Sequence, residues 1–448
     1  MTEPEVMAVP LTAATQSIAT SQVVHQDLVA PWSLTASDGS GLALARVEAK
    51  AVVEGPLAYT ELHLWFHNPE NRRREGTFQI TLPEHAAVSR FAMETDGRWM
   101  EAEVVEKQLA RRAYDDFLHR RQDPALLEKA EGNQFTAKVF PIAGNADKHI
   151  VISYSQELPG SRYVLPLRGL PNTAQIDVEV SSNGQVTQKL NQKAWTPDRD
   201  FISDAPASAQ AVGAGNLVAM RVAAVTATAA TEAPRALTLL IDTSASRALG
   251  YAGYVRSVRG LIEKVAAKYG ASLPIEVIAF DQDRQTIYRG AASGWGDRED
   301  QKLVERGAAG ASDLAQALRG VQRASRLVVV TDGVITAGAE HAELAAAVKA
   351  AKAERVDVVL AGGLRDDAAA AELVRAGTEH AGAVLDLDDG ASVVADALAQ
   401  QVQVNVAVSV PGAAWVYPTT IASARAGTST MVFARLARPA QEIELVVG

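Results

Sequence analysis

"ALTLLIDTSASRALG", residues 236–250, is the stretch on which the reading of this chain turns. Six mostly apolar residues run unbroken into an aspartate, and hydroxyl residues follow at alternate positions. A short continuous apolar run of this kind reads as a strand buried on both faces. Four further runs share its grammar: "LPIEVIAF" (273–280), "RLVVVTDG" (326–333), "VDVVLAGG" (356–363) and "AVLDLDD" (383–389). Helical stretches separate them at 251–269, about 312–322, 341–353, 366–379 and 391–402. Strands that alternate with helices specify a mainly parallel sheet covered on both sides. Residues 235–402 are therefore expected to form one doubly wound α/β domain.

Outward from that block the pattern changes to period two. Residues 1–27 are small, polar and aperiodic, and are expected to form a loose arm. Residues 28–160 read as a β-rich domain, with alternation in "ALARVEAKAVVEG" (43–55), "YTELHLWFHNP" (59–69), "NQFTAKVFPIAG" (133–144) and "KHIVISYSQEL" (148–158). One helix is expected within it, over 101–121, from the helical spacing of Leu109, Ala113, Phe117 and Leu118. Alternation continues through 161–234 and resumes at 403–448, with a polar linker at 226–235. Neither flank is long enough for a comfortable sandwich alone. We therefore expect 161–234 and 403–448 to fold together as a β-sandwich into which the α/β domain is inserted. The fold class is thus multidomain, α/β plus all-β.

The totals narrow the function. The chain has 448 residues, 43 basic against 53 acidic, and a net charge of −10. That balance argues against a nucleic-acid partner, which needs a basic face to neutralise phosphate. The densest basic run, "NRRREG" (71–76), reads as a hairpin tip. With no cysteine, thiolate zinc sites, disulfides and a thiol nucleophile are excluded. No apolar run approaches the roughly 18–20 residues of a membrane span. The first residues carry acids where a signal peptide carries positive charge, so the compartment stays open. Partner identity and oligomeric state are equally open.

The chemistry gathers at strand ends. In an open α/β sheet, ligands bind beyond the carboxyl ends of the strands, where the winding reverses. Asp242 ends the first run, and in an extended loop Ser244 and Ser246 point the same way. Asp332 follows the strand "RLVVVT", and Ser312 stands where "GASDLAQALRG" (310–320) enters a helix. Two carboxylates and three hydroxyls form a hard-oxygen set that suits Mg²⁺, Mn²⁺ or Ca²⁺. A lone Asp-x-Ser would read as a turn or helix cap; three segments in this order read as one ligand set.

"DTSAS", "GASDL" and "TDG" together resemble the metal-ion-dependent adhesion site of von Willebrand factor A domains, a Rossmann-like fold. Ser312 stands where that family usually carries threonine, keeping the hydroxyl and losing a methyl. The resemblance implies a divalent cation held by Asp242, Ser244, Ser246, Ser312 and Asp332, completed by a carboxylate of a protein partner. It also implies that the last helix, 391–402, shifts when the site is occupied. The β-rich segment around "EKQLARRAYDDF", "NQFTAKVFPIAG" and "HIVISYSQEL" resembles a vault/inter-α-trypsin (VIT) domain. VIT followed by von Willebrand A is the order in inter-α-trypsin inhibitor heavy chains and many bacterial relatives. The resulting expectation is a cation-dependent adhesion or assembly module with no catalytic residue. The rivals are a scaffold whose site binds nothing and a metal-assisted hydrolase using the same acids.

Other motifs carry less. Asp386, Asp388 and Asp389 depart from calcium-loop spacing and read as a strand end and helix start. Asp281 and Asp283 read as a hairpin turn. His63 and His67 share a strand face with Trp65, with no third ligand in view. Ser244 and Ser246 have no histidine nearby in sequence to act as a base. Arg247, next after Ser246, either rims the site or faces water.

Overall fold

The computed structural model describes residues 30–83, 86–106, 126–129, 132–158, 162–204, 210–224, 232–248, 250–321, 324–338, 341–376, 378, 380–440 and 442–448. They divide into two compact units, one running to Arg221 and the other from Val222.

The first unit is β-rich. Its strands are β1 (Trp32–Ala36), β2 (Ala43–Glu54), β3 (Leu57–Asn68), β4 (Arg74–Thr81), β5 (Ala86–Thr95), β6 (Arg98–Glu106), β7 (Leu126–Lys129), β8 (Gln134–Ile142), β9 (Ala146–Glu157), β10 (Arg162–Leu165), β11 (Thr173–Ser182), β12 (Gln185–Trp195), β13 (Phe201–Asp204), β14 (Ala211–Ala214) and β15 (Leu217–Val222). Eleven of them form one sheet in the order β1-β4-β8-β7-β6-β5-β9-β3-β2-β11-β12. Strict alternation does the folding work. On β3, Leu62, Leu64 and Phe66 are fully buried while His63 and Trp65 take the other face.

Two expectations are corrected in this unit. Residues 101–106, read as the start of a helix, are strand β6, paired antiparallel to β5. The cause is the Asp96-Gly97 turn, where both residues have positive φ (50° and 74°) as a two-residue hairpin requires. The rest of that helix, 107–121, lies outside the described residues. The domain cut at 160 also falls in the wrong place. Strand β11 runs parallel to β2, and Tyr163, Leu165, Ile176, Val178 and Phe201 belong to the same core as Leu62 and Phe78. Alternation identifies a strand but not the sheet it joins.

The second unit carries the α/β fold. Its strands are β16 (Leu237–Asp242), β17 (Pro274–Phe280), β18 (Arg284–Ala291), β19 (Arg326–Thr331), β20 (Arg355–Leu360) and β21 (Val384–Asp386), in the sheet order β18-β17-β16-β19-β20-β21. All neighbours are parallel except the β17–β18 hairpin, whose turn is Asp281–Asp283. The helices are α1 (Tyr251–Tyr269), α2 (Asp297–Arg306), α3 (Leu314–Arg319), α4 (His341–Ala351), α5 (Asp367–Leu373) and α6 (Ala391–Ala397). Helix α2 escaped the sequence reading, since its heavily charged sequence, "DREDQKLVER", contributes only Leu303 as a buried apolar residue. Within β16, Leu239 and Ile241 pack with α1 and α6, while Leu240 packs with α3, α4 and α5 on the opposite face. Both faces are thus buried, which explains the continuous apolar run. Winding proceeds outward from β16 through β17 to β18 and, in the other direction, through β19 to β21. The reversal lies between β16 and β19.

After the α/β sheet come β22 (Gln403–Ser409), β23 (Ala413–Tyr417), β24 (Thr420–Ala424), β25 (Thr430–Leu436) and β26 (Val446–Val447). Strand β22 pairs with β24 and β26, and β23 pairs with β25.

Candidate functional site

Asp242 closes β16, and Asp332 directly follows the end of β19, so the two carboxylates sit at the point where the winding reverses. Both are fully buried. After Asp242 the chain alternates as the sequence predicts. Thr243 turns toward β17: its amide and hydroxyl both donate to the Phe280 carbonyl, and the hydroxyl also reaches Asp281 Oδ2. Arg306 on α2 clamps this outer layer, donating to Thr243 Oγ1 (3.0 Å) and Asp281 Oδ2 (2.7 Å). Asp242, Ser244 and Ser246 take the other side. The Ser244 amide donates to Asp242 Oδ1 (2.9 Å), and the Ser244 and Ser246 hydroxyls lie 3.0 Å apart. The backbone then tightens into a 3₁₀ turn over Ala245–Arg247, with Ser246 left exposed at the mouth.

The second loop delivers Ser312. Its hydroxyl donates to Asp242 Oδ2 (3.3 Å), and its amide donates to Thr336 Oγ1 (2.9 Å). The next residue, Asp313, caps α3 through the Gln316 amide (2.9 Å), which fixes Ser312 just ahead of the helix. The third loop delivers Asp332, whose Oδ1 accepts from the Val334 amide (2.9 Å) and whose Oδ2 accepts from Arg247. Gly333 permits the loop to fold back: its φ is +80°, and a Cβ there would stand 2.6 Å from the Asp366 carbonyl oxygen.

The structure thus gathers Asp242, Ser244, Ser246 and Ser312 through direct hydrogen bonds. Asp332 is near enough that its charge acts on Asp242. Burial pushes the Asp242 carboxyl above its ordinary range and the Asp332 charge pushes it further, while the Thr331 hydroxyl and the Ser244 donors pull it back. Two groups escaped the sequence reading. Thr331, the last residue of β19, donates to Asp242 Oδ2 at 2.7 Å. The signal was a hydroxyl ending an otherwise apolar strand. Arg247 is buried rather than facing water, and forms an ion pair with Asp332.

The hard-oxygen donors fit a Mg²⁺-type cation in kind, and one of the two carboxylates, Asp332, holds the Arg247 guanidinium. Among the described residues, no cluster of three or more His, Asp or Glu side chains is gathered as a metal site. The candidate loops accordingly offer two carboxylates and otherwise hydroxyls. The motifs set aside find structural partners. Asp386 caps the turn at Leu387–Asp389 and pairs with Arg365 (2.7 Å). His63 meets His149 (3.0 Å) and Glu61 (3.1 Å), whereas His67 meets Asp147 (2.7 Å).

Residues 44–154 match the family model of the vault protein inter-alpha-trypsin domain, VIT. No curated protein matches the chain. Similar solved structures include the SpRpn10 VWA domain, at 13% identity and a TM-score of 0.29, covering 35% of this chain and 93% of that one. A von Willebrand factor type A protein from Catenulispora acidiphila shows 13% identity and a TM-score of 0.29, covering 52% of this chain and 64% of that one. BatB from Bacteroides thetaiotaomicron shows 14% identity and a TM-score of 0.26, covering 36% of this chain and 95% of that one.

Proposed function

We propose that the α/β domain is a divalent-cation-dependent protein-binding module. The observation that carries this reading is the convergence of Asp242, Ser244, Ser246, Ser312 and Asp332 from three loops at the winding reversal, with both carboxylates fully buried. Buried carboxylates need a positive partner, and Arg247 pairs with Asp332 while hydroxyls and an amide donate to Asp242. Asp242, Ser244, Ser246, Ser312 and Asp332 would hold the ion, some through water. A cation bound there supplies an electrophilic position that a partner's Asp or Glu carboxylate completes. Ser246, exposed at the mouth, marks the side from which that partner approaches.

Binding is favoured over hydrolysis because, among the described residues, the hydrogen bonds of these loops run among hydroxyls, carboxylates, backbone amides and the Arg247 guanidinium, with no histidine among them to act as a base. Calorimetric titration of the full chain with Mg²⁺ and Mn²⁺ tests the reading. Wild type should bind one cation and Asp242→Ala none. Partner capture should be lost on adding EDTA. Failure of every form of the protein to take up cation would overturn the proposal, and turnover of a phosphoester would replace it with the hydrolase reading.

A further inference from the structure

We infer that Arg247 is a tethered cation of this site, which holds Asp332 until a divalent ion displaces it. The inference deepens the proposed function and rests on it. It starts from a seat built for the guanidinium. Arg247 Nη2 donates to Asp332 Oδ2, and Nη1 donates to the carbonyl oxygen of Ala361, just past the end of β20. The Tyr254 ring of α1 lies beneath, 5.8 Å from its centroid to Cζ. Gly362 supplies the room: its φ is +93°, and a Cβ at that position would stand 2.8 Å from Arg247 Nη1. The Arg247 side chain is only 6% exposed. Three separate segments, the loops after β19 and β20 and helix α1, therefore meet around one guanidinium. A residue that merely rims a mouth needs none of them.

The seat is nevertheless incomplete. Among the described residues, Arg247 Nε is buried with no hydrogen-bond partner, a standing cost of desolvation. Asp332 is also one of the two carboxylates that a divalent ion requires. With Arg247 in place, an incoming ion meets a fixed positive charge and one fewer free carboxylate oxygen. With Arg247 released, both carboxylates face the ion. The two cations therefore compete for Asp332, and the ion's apparent affinity is reduced by the fraction of molecules with Arg247 seated. Ser246, the residue before Arg247, is exposed, so release carries the guanidinium outward to the mouth that an acidic partner would approach.

The test is calorimetric titration of the full chain with Mn²⁺, comparing wild type, Arg247→Met and the double variant Asp242→Asn/Arg247→Met. Arg247→Met should bind at least tenfold more tightly than wild type, and the double variant should not bind. In EDTA, Arg247→Met should melt below wild type, and Mn²⁺ should raise its melting temperature by more than it raises that of wild type. Equal affinity in wild type and Arg247→Met overturns the inference while leaving the cation site standing. Absence of binding in both overturns the cation reading and the inference with it. Should Arg247→Met lack a folded circular-dichroism spectrum, Arg247→Lys takes its place. The ammonium keeps the charge but cannot span both acceptors, so an affinity gain supports the inference and an unchanged affinity refutes it.

Discussion

Asp357→Asn is expected to unfold the α/β unit far more readily than its single lost charge would imply. Asp357 lies on β20, fully buried. Its Oδ1 accepts from Arg355 Nε (2.9 Å), Arg355 Nη2 (2.8 Å) and the Ala383 amide (2.8 Å), and its Oδ2 accepts from Arg326 Nη1 (3.1 Å). Arg326 and Arg355 face each other in register at the starts of β19 and β20, with side chains only 6% and 2% exposed. An asparagine of the same shape retains one acceptor oxygen and turns an NH₂ group toward one of the arginines. Two guanidiniums then remain buried without a counter-charge. Removing one member of such a cluster costs about 3–5 kcal/mol. At roughly 2–4 °C per kcal/mol for a domain of this size, the melting temperature should fall by roughly 10 °C. Scanning calorimetry of the full chain reads this directly, with Glu276→Gln as the control. That substitution breaks an ion pair whose arginine, Arg289, is 74% exposed, so it should cost less than about 1 kcal/mol. If Asp357→Asn shifts the transition no more than the control does, the account of the cluster is wrong.

Two further outcomes follow from other buried groups. Asp242→Asn should raise the melting temperature in EDTA by roughly 2 °C or more while abolishing any rise on adding Mn²⁺, because the charged form of Asp242 is disfavoured in the folded chain; a lower melting temperature in EDTA would contradict this. Lys148 in the first unit is 3% exposed and donates to the Glu94 carbonyl (2.7 Å) and Thr95 Oγ1 (2.9 Å). Burial pushes its pKa down to about 8 from 10.5, against the pull of Asp96 and Glu94. Between those values the unfolded chain binds more protons than the folded one, so stability should rise with pH, by at most about 3 kcal/mol across the window. Denaturant unfolding from pH 7 to 10.5 should show this rise in wild type and not in Lys148→Met, and equal pH slopes would refute it.

What the sequence revealed depended on how far apart the interacting residues lie. Strands β16, β17, β19 and β20 were legible because burial on both faces leaves an unbroken apolar run. Asp242, Ser244, Ser246, Ser312 and Asp332 were legible because strand ends and helix starts are local signals. Arg247 was not, since its acceptor Asp332 is 85 residues further on. The register of β11 against β2 was likewise hidden, as both alternate in the same way and their pairing spans about 130 residues. Arg326, Arg355 and Asp357 did leave a trace. Charged residues open two apolar runs, in "RLVVV" and "RVDVV", and in the second a further charge follows at period two. A strand buried on both faces cannot hold such residues unless they pair with one another.

The two buried ionic clusters sit at opposite ends of the same strands, and their charges are complementary. At the start of β19 and β20, two arginines face one aspartate, a surplus of one positive charge. That surplus is absorbed by carbonyls: Arg326 donates to Leu398 (2.8 Å) and Glu232 (3.0 Å), and Arg355 donates to Gln400 (2.7 Å). Leu398 caps the C-terminal end of α6, where the helix dipole favours a cation. At the other end, Asp242 and Asp332 face one arginine, a deficit of one positive charge. The donors to Asp242 are hydroxyls and an amide, which orient around a carboxylate without neutralising it. The first cluster is complete within the chain. Among the described residues the second is short of one positive charge, which the proposed cation would supply and which a proton on Asp242 would also relieve, in line with its raised pKa. A slide of α6 would have to break the Arg326–Leu398 bond and the Tyr269 Oη–Ala395 bond at the closed end. Cation binding at the open end can therefore reach α6 only if it outweighs those bonds. Weakening the closed end, as Asp357→Asn does, should make the helix easier to move.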